Sequence, residues 1–433
     1  YGICPEVEIL TLNPFDKRSV AWDMARDITA PATAQQIASI LIPENKNSAQ
    51  PFFADASRHL LSGVLISFML RSPGAWTFRD VLVAMRSKNR LKEVLDNCPQ
   101  TSQLVEQYFS DDTTARNVMS TVATKMQRYE FIAATWAKAD RSISLRDWLQ
   151  EESILVLGND EASRSAIDAI NQVIFKRLSE LVLAQTESET RKTWIFFDEL
   201  REAGKLDGLS SLLTKGRSKG ACCVLGFQDI EGLRDVYGYN VAHEIVGLCA
   251  NKAILRLDSP ETAKWASSVF GEREILEQRH TENVSKTTDR DQGVILIPNL
   301  ISKNEGVSTS EHQVKKEVVM TSELLAQEPP SPSGSLSGYY LIPSIGSYFV
   351  KIKGNYISTQ LPSRDSEVAD IILREESDQI LDDWTERDIA RLCLGSEKDT
   401  VVTTESSQSN AEMNPLFQIT RRQEEKISPV PRS

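Results

Sequence analysis

Metal-binding residue types are scarce in this chain. Its 433 residues include six cysteines and four histidines, and no two cysteines form a Cys-x-x-Cys pair. Structural zinc sites draw on closely spaced cysteine and histidine ligands, so the sequence argues against one. Isolated cysteines in an apolar run, such as Cys222 and Cys223, act as small hydrophobes and suit a reducing cytoplasm.

Long hydrophobic runs are also missing. The best apolar run covers residues 60–70 and contains Ser62, Gly63 and Ser67. A membrane-spanning helix needs about 20 apolar residues. The sequence therefore predicts neither a transmembrane anchor nor a signal peptide within this chain.

An excess of positive charge is absent. Lysine and arginine number 49 against 61 acidic residues, a net charge of -12. Residues 361–433 hold nine basic and sixteen acidic side chains, which leaves -5 for residues 1–360. The chain thus lacks the overall basic footprint of many nucleic-acid-binding proteins, although a local basic patch inside a ring remains compatible with these totals.

A phosphate-binding loop is the most consequential absence. The pattern G-x-x-x-x-G-K-[ST] occurs nowhere, and Gly204-Lys205 is followed by Leu206. Tyr1 is the first residue, and a strand begins almost at once, so we expect further residues upstream in the intact protein. Without that loop a triphosphate has few ligands, and we expect this chain alone to hydrolyse ATP poorly or not at all.

Strand-length apolar runs recur along the chain and alternate with helical patterns in its second half. The runs are 6–12, 153–157, 193–197, 221–227 and 252–257. Continuously apolar strands separated by helices are typical of a parallel sheet that is buried on both faces. These runs predict an α/β fold.

Helical spacing dominates between residues 23 and 147. Apolar residues recur on one helix face at Leu61, Val64, Leu65, Phe68 and Met69. Thr77 with Asp80 and Ser144 with Asp147 resemble capping boxes. The stretch contains no convincing strand and predicts an all-α insertion.

The C-terminal part has weaker patterns. Residues 275–316 are polar and predict a loop, whereas 339–342 and 348–352 predict two short strands. Beyond residue 361 the chain is acidic and serine-rich, with one helix predicted near 366–393 and disorder over the last 35 or so residues.

Two adjacent acids give the sharpest motif. Asp198 and Glu199 directly follow the apolar run 193–197. Ligands of open parallel sheets bind at the carboxyl ends of the strands. Nucleotide hydrolysis needs one carboxylate there to hold hydrated Mg²⁺ and one to orient the attacking water, roles that suit Asp198 and Glu199. The alternative is a strand whose acidic end is simply solvated.

Gln228 ends the next apolar run and could face the same phosphate. A right-handed crossover makes the two strands parallel, and neighbouring strands lie about 4.8 Å apart. An amide at this position could sense the terminal phosphate or position water. Equally, Gln228 could be an ordinary polar residue at a strand end.

A basic cluster at residues 214–220 separates the two runs. Cations suit the carboxyl end of a helix, which explains the cluster without any function. Alternatively, Arg217 is an arginine finger that reaches the terminal phosphate of a neighbouring subunit and stabilises transition-state charge.

Four stretches of the chain together resemble the TraD-type coupling proteins of conjugation and type IV secretion, which are FtsK/HerA-like ring ATPases. They are residues 12–22, including Asn13, Pro14 and Trp22; residues 197–200; residues 213–238, including Arg217, Gln228 and Gly238; and residues 255–271 with 318–323. The resemblance covers about residues 8–355.

The resemblance implies a RecA-like nucleotide-binding domain interrupted by an all-α domain. It divides the chain into residues 1–22, the first part of the nucleotide-binding domain; 23–147, the all-α domain; 148–360, the main nucleotide-binding part; and 361–433, an acidic, largely disordered tail. It makes Asp198 the carboxylate for Mg-ATP, Glu199 the catalytic acid, Arg217 the finger acting in trans and Gln228 the sensor.

The same resemblance implies ATP and Mg²⁺ as cofactors and a hexamer at the cytoplasmic face of the bacterial inner membrane. It implies DNA, a relaxase or relaxosome, and a type IV secretion channel as partners. The function expected is ATP-driven DNA translocation that links the relaxosome to the channel. Two alternatives stay open: a chromosomal FtsK/HerA-like translocase, and a non-enzymatic fragment that binds partners without turning over ATP.

Overall fold

The computed structural model describes residues 7–44, 51–161, 163–285, 304–329, 331, 334–355 and 371–395. The β-strands are β1 (Glu8–Leu12), β2 (Ala21–Trp22), β3 (Ser142–Ile143), β4 (Ser153–Leu157), β5 (Thr193–Phe197), β6 (Ala221–Leu225), β7 (Lys252–Ile254), β8 (Glu272–Ser285), β9 (Asn304–Glu317), β10 (Ser335–Ile342) and β11 (Gly346–Lys353).

The α-helices of the described residues are α1 (Met24–Asp27), α2 (Pro31–Leu41), α3 (Pro51–Arg71), α4 (Phe78–Met85), α5 (Lys88–Asp96), α6 (Gln103–Phe109), α7 (Asp112–Met126), α8 (Glu130–Ala137), α9 (Leu145–Trp148), α10 (Arg164–Ala184), α11 (Leu209–Lys215), α12 (Ile230–Tyr237), α13 (Tyr239–Leu248), α14 (Pro260–Phe270), α15 (Thr321–Leu325) and α16 (Glu386–Arg391). Within this described part, no helix has both the length and the hydropathy to cross a membrane.

Two parallel strand pairs form the α/β part. β1 pairs with β4 and β5 pairs with β6, each in register over five residues. Helix α10 joins β4 to the second pair, burying residues such as Phe175 and Val182 in the same cluster as Ile195. The prediction of parallel strands connected by helices is confirmed.

The burial predicted for these strands is only half right. Ile154 and Val156 on β4, Trp194 and Phe196 on β5, and Val224 on β6 are exposed large apolar side chains. Side chains of a strand alternate between faces, so one face of these strands is packed and the other is open in the described structure. The expectation of burial on both faces is therefore wrong for these residues.

The all-α region confirms the helical prediction. Between β2 and β3 the described residues form helices α1–α8, whose buried face includes the predicted set Leu61, Val64, Leu65, Phe68 and Met69. Thr77 and Asp80 form the expected capping box at the start of α4, and Ser144 caps α9. The short strand β3 at the end of the region was not predicted.

Asp27 fastens the two ends of this helical insertion together. Its fully buried carboxylate accepts hydrogen bonds from the Trp22 indole at 2.7 Å and the Ser144 hydroxyl at 3.0 Å. It also accepts the backbone N–H groups of Leu145 at 2.7 Å and Arg146 at 3.1 Å. A buried charge requires such partners, and here they come from the beginning and the end of the insertion.

Residues 275–316, predicted as a loop, are the clearest error in the sequence reading. Strands β8 and β9 pair antiparallel through fourteen positions, from Glu272 opposite Glu317 to Ser285 opposite Asn304. Backbone pairing does not require apolar side chains, so the polar composition misled the prediction. The part of this predicted loop between residues 286 and 303 lies outside the described residues.

The two predicted C-terminal strands are present and longer than expected. β10 and β11 form an antiparallel hairpin, and β10 also pairs antiparallel with β7. Helix α14 begins as predicted, with Ser259 as its cap and Pro260 in its first position, and Gly271 follows its end.

Residues 371–395, which we call the strap, pack against the all-α region. Its backbone joins the loop after β1, where the Lys17 N–H donates to the Ile372 carbonyl at 2.8 Å. Leu381, Leu392 and Leu394 are buried in the helical core. The sequence placed this stretch in an acidic tail with one helix near residues 366–393. The helix is present but short, as α16 covers only six residues. The acidic composition hid three leucines and a tryptophan that give the strap a packed position. The remainder of the predicted tail, residues 361–370 and 396–433, lies outside the described residues.

Candidate functional site

Asp198 and Glu199 lie at the carboxyl end of β5, where β6 ends beside it. Phe197 and Leu225 are opposite each other at the last paired position. Gly226 then donates its N–H to the Phe197 carbonyl at 2.7 Å, and its own carbonyl accepts from Leu200 at 2.8 Å. These bonds hold the two loops that leave the sheet against each other.

Gly226 makes this close approach possible. A Cβ atom at this position would lie 2.2 Å from the Asp198 carbonyl oxygen, much closer than any real contact. The loop after β6 can therefore cross the loop after β5 only with glycine at position 226. This crossing determines the positions of Glu199 and Gln228, the polar residues that follow in the two loops.

Glu199 and Gln228 are in direct contact. One oxygen of the Glu199 carboxylate accepts the backbone N–H of Gln228 at 3.1 Å, and the other accepts the Arg201 N–H at 3.3 Å. The expectation that Glu199 and Gln228 share one end of the sheet is confirmed. Both contacts leave lone pairs on the carboxylate, because each oxygen of an ionised carboxylate can accept more than one hydrogen bond.

The side chains of Asp198 and Gln228 are exposed. In the described part of the chain, neither takes part in a hydrogen bond or ion pair through its side chain. Polar side chains that have no hydrogen-bond partner in the protein are available to bind a ligand. An oxygen donor such as Asp198 suits Mg²⁺, which prefers one or two carboxylates together with water and phosphate oxygens.

An open cleft extends from this edge towards β7. Its walls include Asp198, Glu199 and Gln228 together with Asn251 and Arg256, which flank β7. Arg256 pairs with Asp258 at 2.6 Å. The sequence reasoning assigned no role to Arg256, although it follows a strand just as Asp198 does; the strand-end rule would have identified it as a cation near the acids.

The loops after β4 and β5 meet at the same edge. Arg164, at the start of α10, forms an ion pair with Glu202, and the Gln172 amide donates to the Ala203 carbonyl at 3.1 Å. Asp168 is also paired with Arg164, at 3.3 Å, and burial raises the pKa of its carboxyl above the ordinary value. The carboxyl ends of β4, β5 and β6 thus share one side of the α/β part.

The thiols of Cys223 and Cys249, near the cleft, have raised pKa values. Burial, with smaller contributions from Cys249 and Cys222, raises the pKa of Cys223 to about 11. Burial also raises the pKa of Cys249, which lines the cleft. Because the thiolate is the reactive form, these cysteines are unsuited to nucleophilic chemistry.

Arg217 lies at the opposite end of β6. It begins the 3₁₀ turn Arg217–Lys219, and Gly220, with φ of +89°, then leads into the first residue of the strand. Arg217 is exposed, and its side chain has no hydrogen bond or ion pair within the described residues. Arg217 and Glu199 therefore do not meet within one chain. If Arg217 is an arginine finger, it must act on the nucleotide site of a second subunit.

The architecture itself defines a class: a RecA-like α/β protein with an all-α insertion and acids at the carboxyl edge of its sheet. The family model for the type IV secretion-system coupling protein DNA-binding domain matches residues 5–344. The chain belongs to this family of coupling proteins.

Individual relatives agree with the family model. The coupling protein TraD of Escherichia coli (strain K12) is 24% identical over 274 residues, which are 61% of this chain and 37% of TraD. This chain therefore spans well under half the length of that curated relative.

Solved structures of the coupling protein TrwB share the fold. The unbound monoclinic form of TrwBdeltaN70 has a TM-score of 0.60 at 20% identity, covering 80% of this chain and 73% of that chain. TrwB with the ATP analogue ADPNP has a TM-score of 0.58 at 20% identity, with 81% and 75% covered. TrwB with ADP and Mg²⁺ has a TM-score of 0.57 at 20% identity, with 84% and 75% covered.

Proposed function

We propose that this chain is the motor part of a coupling protein, an ATP-driven DNA translocase that links a relaxosome to a type IV secretion channel. The observation that carries the proposal is the contact between Glu199 and Gln228 at the carboxyl edge of the sheet, beside the unpaired carboxylate of Asp198. The family assignment supplies the transport setting.

The residues present fit Mg-ATP in part. Among the described residues, no group of three His, Cys, Asp or Glu side chains is arranged to hold a metal. The described residues thus do not form a metal site made of protein side chains alone. Mg²⁺ bound through phosphates, water and one carboxylate, in contrast, fits Asp198. When bound, Mg-ATP supplies the phosphoryl group and the charge that stabilises its transfer.

The roles of the edge residues follow from their geometry. Asp198 would hold Mg²⁺ through water. Glu199, anchored by two backbone N–H groups but not enclosed, would orient and polarise the attacking water. Gln228, whose backbone is tied to Glu199, would report the terminal phosphate to helix α12. Arg217 would act from a neighbouring subunit, which requires an oligomer, and we propose a homo-hexamer.

We propose that residues outside this chain supply the phosphate-binding loop. Its motif is absent from the 433 residues. The exposed apolar face on β4, β5 and β6 supports an additional strand or helix packing there, because large apolar side chains are stabilised by burial. We propose that this segment carries the loop, that an anchor outside this chain holds the motor at the cytoplasmic face of the inner membrane, and that this chain alone is inactive.

A second candidate function fits the same sequence. The missing loop is equally compatible with a non-enzymatic fragment that only binds partners. The two functions are distinguished by DNA-stimulated ATP hydrolysis in the intact protein, including its upstream residues, with the 433-residue chain as control. The proposal expects turnover in the intact protein and at most a trace in the control. Absence of turnover in both, with DNA and partners present, would favour the binding fragment.

The chromosomal FtsK/HerA-like alternative lacks such support, because the matching family model is that of coupling proteins.

A further inference from the structure

The strap lies on a basic surface of the all-α region formed by Arg79, Arg86, Arg90 and Lys138, which we call the arginine groove. Residues 371–395 carry seven acidic and three basic side chains, whereas residues 23–147 carry thirteen acidic and fifteen basic ones. The two partners therefore have net charges of opposite sign. The resulting contacts are specific as well as electrostatic.

Most of the groove's cations bind main-chain carbonyls of the strap. Arg79 donates to the carbonyls of Asp382, at 3.1 Å, and of Asp383. Arg86 and Lys138 donate to the carbonyls of Leu381 and Ser377 at 3.2 and 2.6 Å. Carbonyls at this spacing belong to a polypeptide, so the surface is built for a peptide rather than for a nucleic-acid backbone.

The side chains of the strap add a second layer of recognition. Asp383 pairs with Arg90 at 2.5 Å and Asp388 with Arg79 at 3.2 Å. The Trp384 ring stands edge-on to Phe68, with centroids 6.5 Å apart, and beneath the Arg90 guanidinium at 5.7 Å. An aromatic anchor among charged pairs is the usual composition of an interface hot spot.

One oxygen of the Asp80 carboxylate, in the arginine groove, receives its hydrogen bonds from the strap. Its Oδ2 atom accepts the Thr77 N–H at 2.8 Å and so caps α4. Its Oδ1 atom accepts the Trp384 indole N–H at 3.1 Å and Arg391 at 3.0 Å; among the described residues these are its hydrogen-bond donors. Asp80 is fully buried, so losing the strap would leave that oxygen to water or to another donor.

The strap is tied to the rest of the chain through a length that permits exchange. Residues 356–370 connect it to β11, and fifteen residues can reach at most about 50 Å when extended. The same groove could therefore hold the strap or release it to an incoming peptide while both remain within reach. High local concentration favours the resident segment until a competitor is abundant or tight.

We propose that the arginine groove is a docking site for an acidic linear peptide of a partner protein that contains one tryptophan, and that the strap is its resident, displaceable occupant. The proposal concerns the all-α region alone and does not depend on nucleotide hydrolysis. Recognition rests on the carbonyl contacts of Arg79 and Arg86, the Arg90 pair and the Asp80 carboxylate.

The test uses the full chain with a protease site inserted between residues 356 and 370. After cleavage, the strap fragment is held only by non-covalent contacts, and a synthetic peptide of residues 371–395 is added while the bound fragment is measured by size-exclusion chromatography. We expect the fragment to co-elute with the body and to be displaced by the peptide. A Trp384→Ala peptide should compete about 30-fold less well, the effect expected for truncating an aromatic anchor.

Matched variants separate recognition from general charge. Arg79→Ala in the body should raise the dissociation constant of the cleaved fragment about tenfold, whereas Arg116→Ala, at an exposed arginine on α7, should leave it unchanged. Helical circular dichroism of the body should be unchanged when the strap is displaced. Equal displacement by a scrambled peptide or an oligonucleotide, failure of displacement at any peptide concentration, or unfolding of the body on release would each overturn the proposal.

Discussion

The strap and the carboxyl edge of the sheet both concentrate charged residues, but they use them in opposite ways. In the strap, Asp383, Asp388 and Arg391 are all paired with groups of the all-α region or with each other. At the edge, Asp198 has no side-chain partner within the described structure. Charges that are paired on folding hold the structure, whereas charges that stay unpaired are available to a ligand.

The comparison also separates two kinds of arginine. Arg391 contacts the buried Asp80 carboxylate through two nitrogens, at 2.9 and 3.0 Å, a bidentate arrangement that fixes position. Arg217 is exposed and begins a 3₁₀ turn that is followed by Gly220, which has a positive φ. The first should matter for stability and the second for catalysis between subunits, a contrast that mutations can break or sharpen.

The largest effect is expected from Arg217→Ala in the intact protein. Loss of a guanidinium that acts in trans should lower ATP hydrolysis about 10³-fold, because such a group stabilises charge only in the transition state. Lys215→Ala, which removes a nearby exposed cation, should have little effect. Mixing Arg217→Ala with Glu199→Gln subunits should restore part of the activity; no restoration would argue against a site shared between subunits.

Glu199→Gln should reduce hydrolysis about 100-fold while nucleotide binding stays close to wild type, because the change removes the base that orients water. Steady-state turnover and binding of a fluorescent ATP analogue measure the two effects separately. Glu202→Gln, which alters a carboxylate paired with Arg164, is the control. Equal losses in both variants would show that the edge responds to charge in general, not to Glu199.

Asp80→Asn tests the paired side of the comparison. The change weakens charge-assisted bonds to Arg391 and Trp384 in a buried site and should lower the free energy of unfolding by about 2 kcal/mol. Asp55→Asn, at a half-exposed carboxylate paired with Arg58, should cost less than about 0.5 kcal/mol. Urea denaturation measures both, and similar costs would mean that the strap contributes little to Asp80.

The smallest effect is a pH dependence of the stability that Asp388 contributes in the strap. Burial raises the pKa of Asp388. Hydrogen bonds from Thr385 and Arg391 and the charge of Arg79 lower it by more than burial raises it, so the pKa lies below its ordinary value. A lowered folded-state pKa stabilises the protein fully above the unfolded value of about 3.9 and loses this contribution as pH falls through the folded value.

The stability difference between wild type and Asp388→Asn should therefore shrink as the pH is lowered from about 6 to about 2. Glu386→Gln serves as control, since Glu386 is exposed and has no ion pair in the described part of the strap. A difference that stays constant over this range would contradict the assignment of Asp388 as an ionised partner.

Much of the α/β framework could be predicted from local sequence. Apolar runs identified β4 and β5 because their position and length are encoded within five residues, and Ser259-Pro260 marked α14 because capping is local. Asp198, Glu199 and Gln228 could be placed together because parallel strands end on one side.

Other features depend on contacts that composition conceals. The pairing of β8 with β9 arises from backbone bonds between polar segments. The strap is acidic and reads as solvated, yet Leu392 and Trp384 find pockets that only the folded helices create. Arg217 could be identified as a cation, but its distance from Glu199 within one chain appears only once the strand direction is fixed.

The most direct test is a structure of the intact, assembled protein with Mg²⁺ and a non-hydrolysable ATP analogue. The account predicts the terminal phosphate at the carboxyl edge of β5 and β6, with Asp198 on a metal-bound water, Glu199 facing the site of the attacking water, and Arg217 of an adjacent subunit on the phosphate. A nucleotide bound away from this edge, with Glu199 and Gln228 left in solvent, would contradict it.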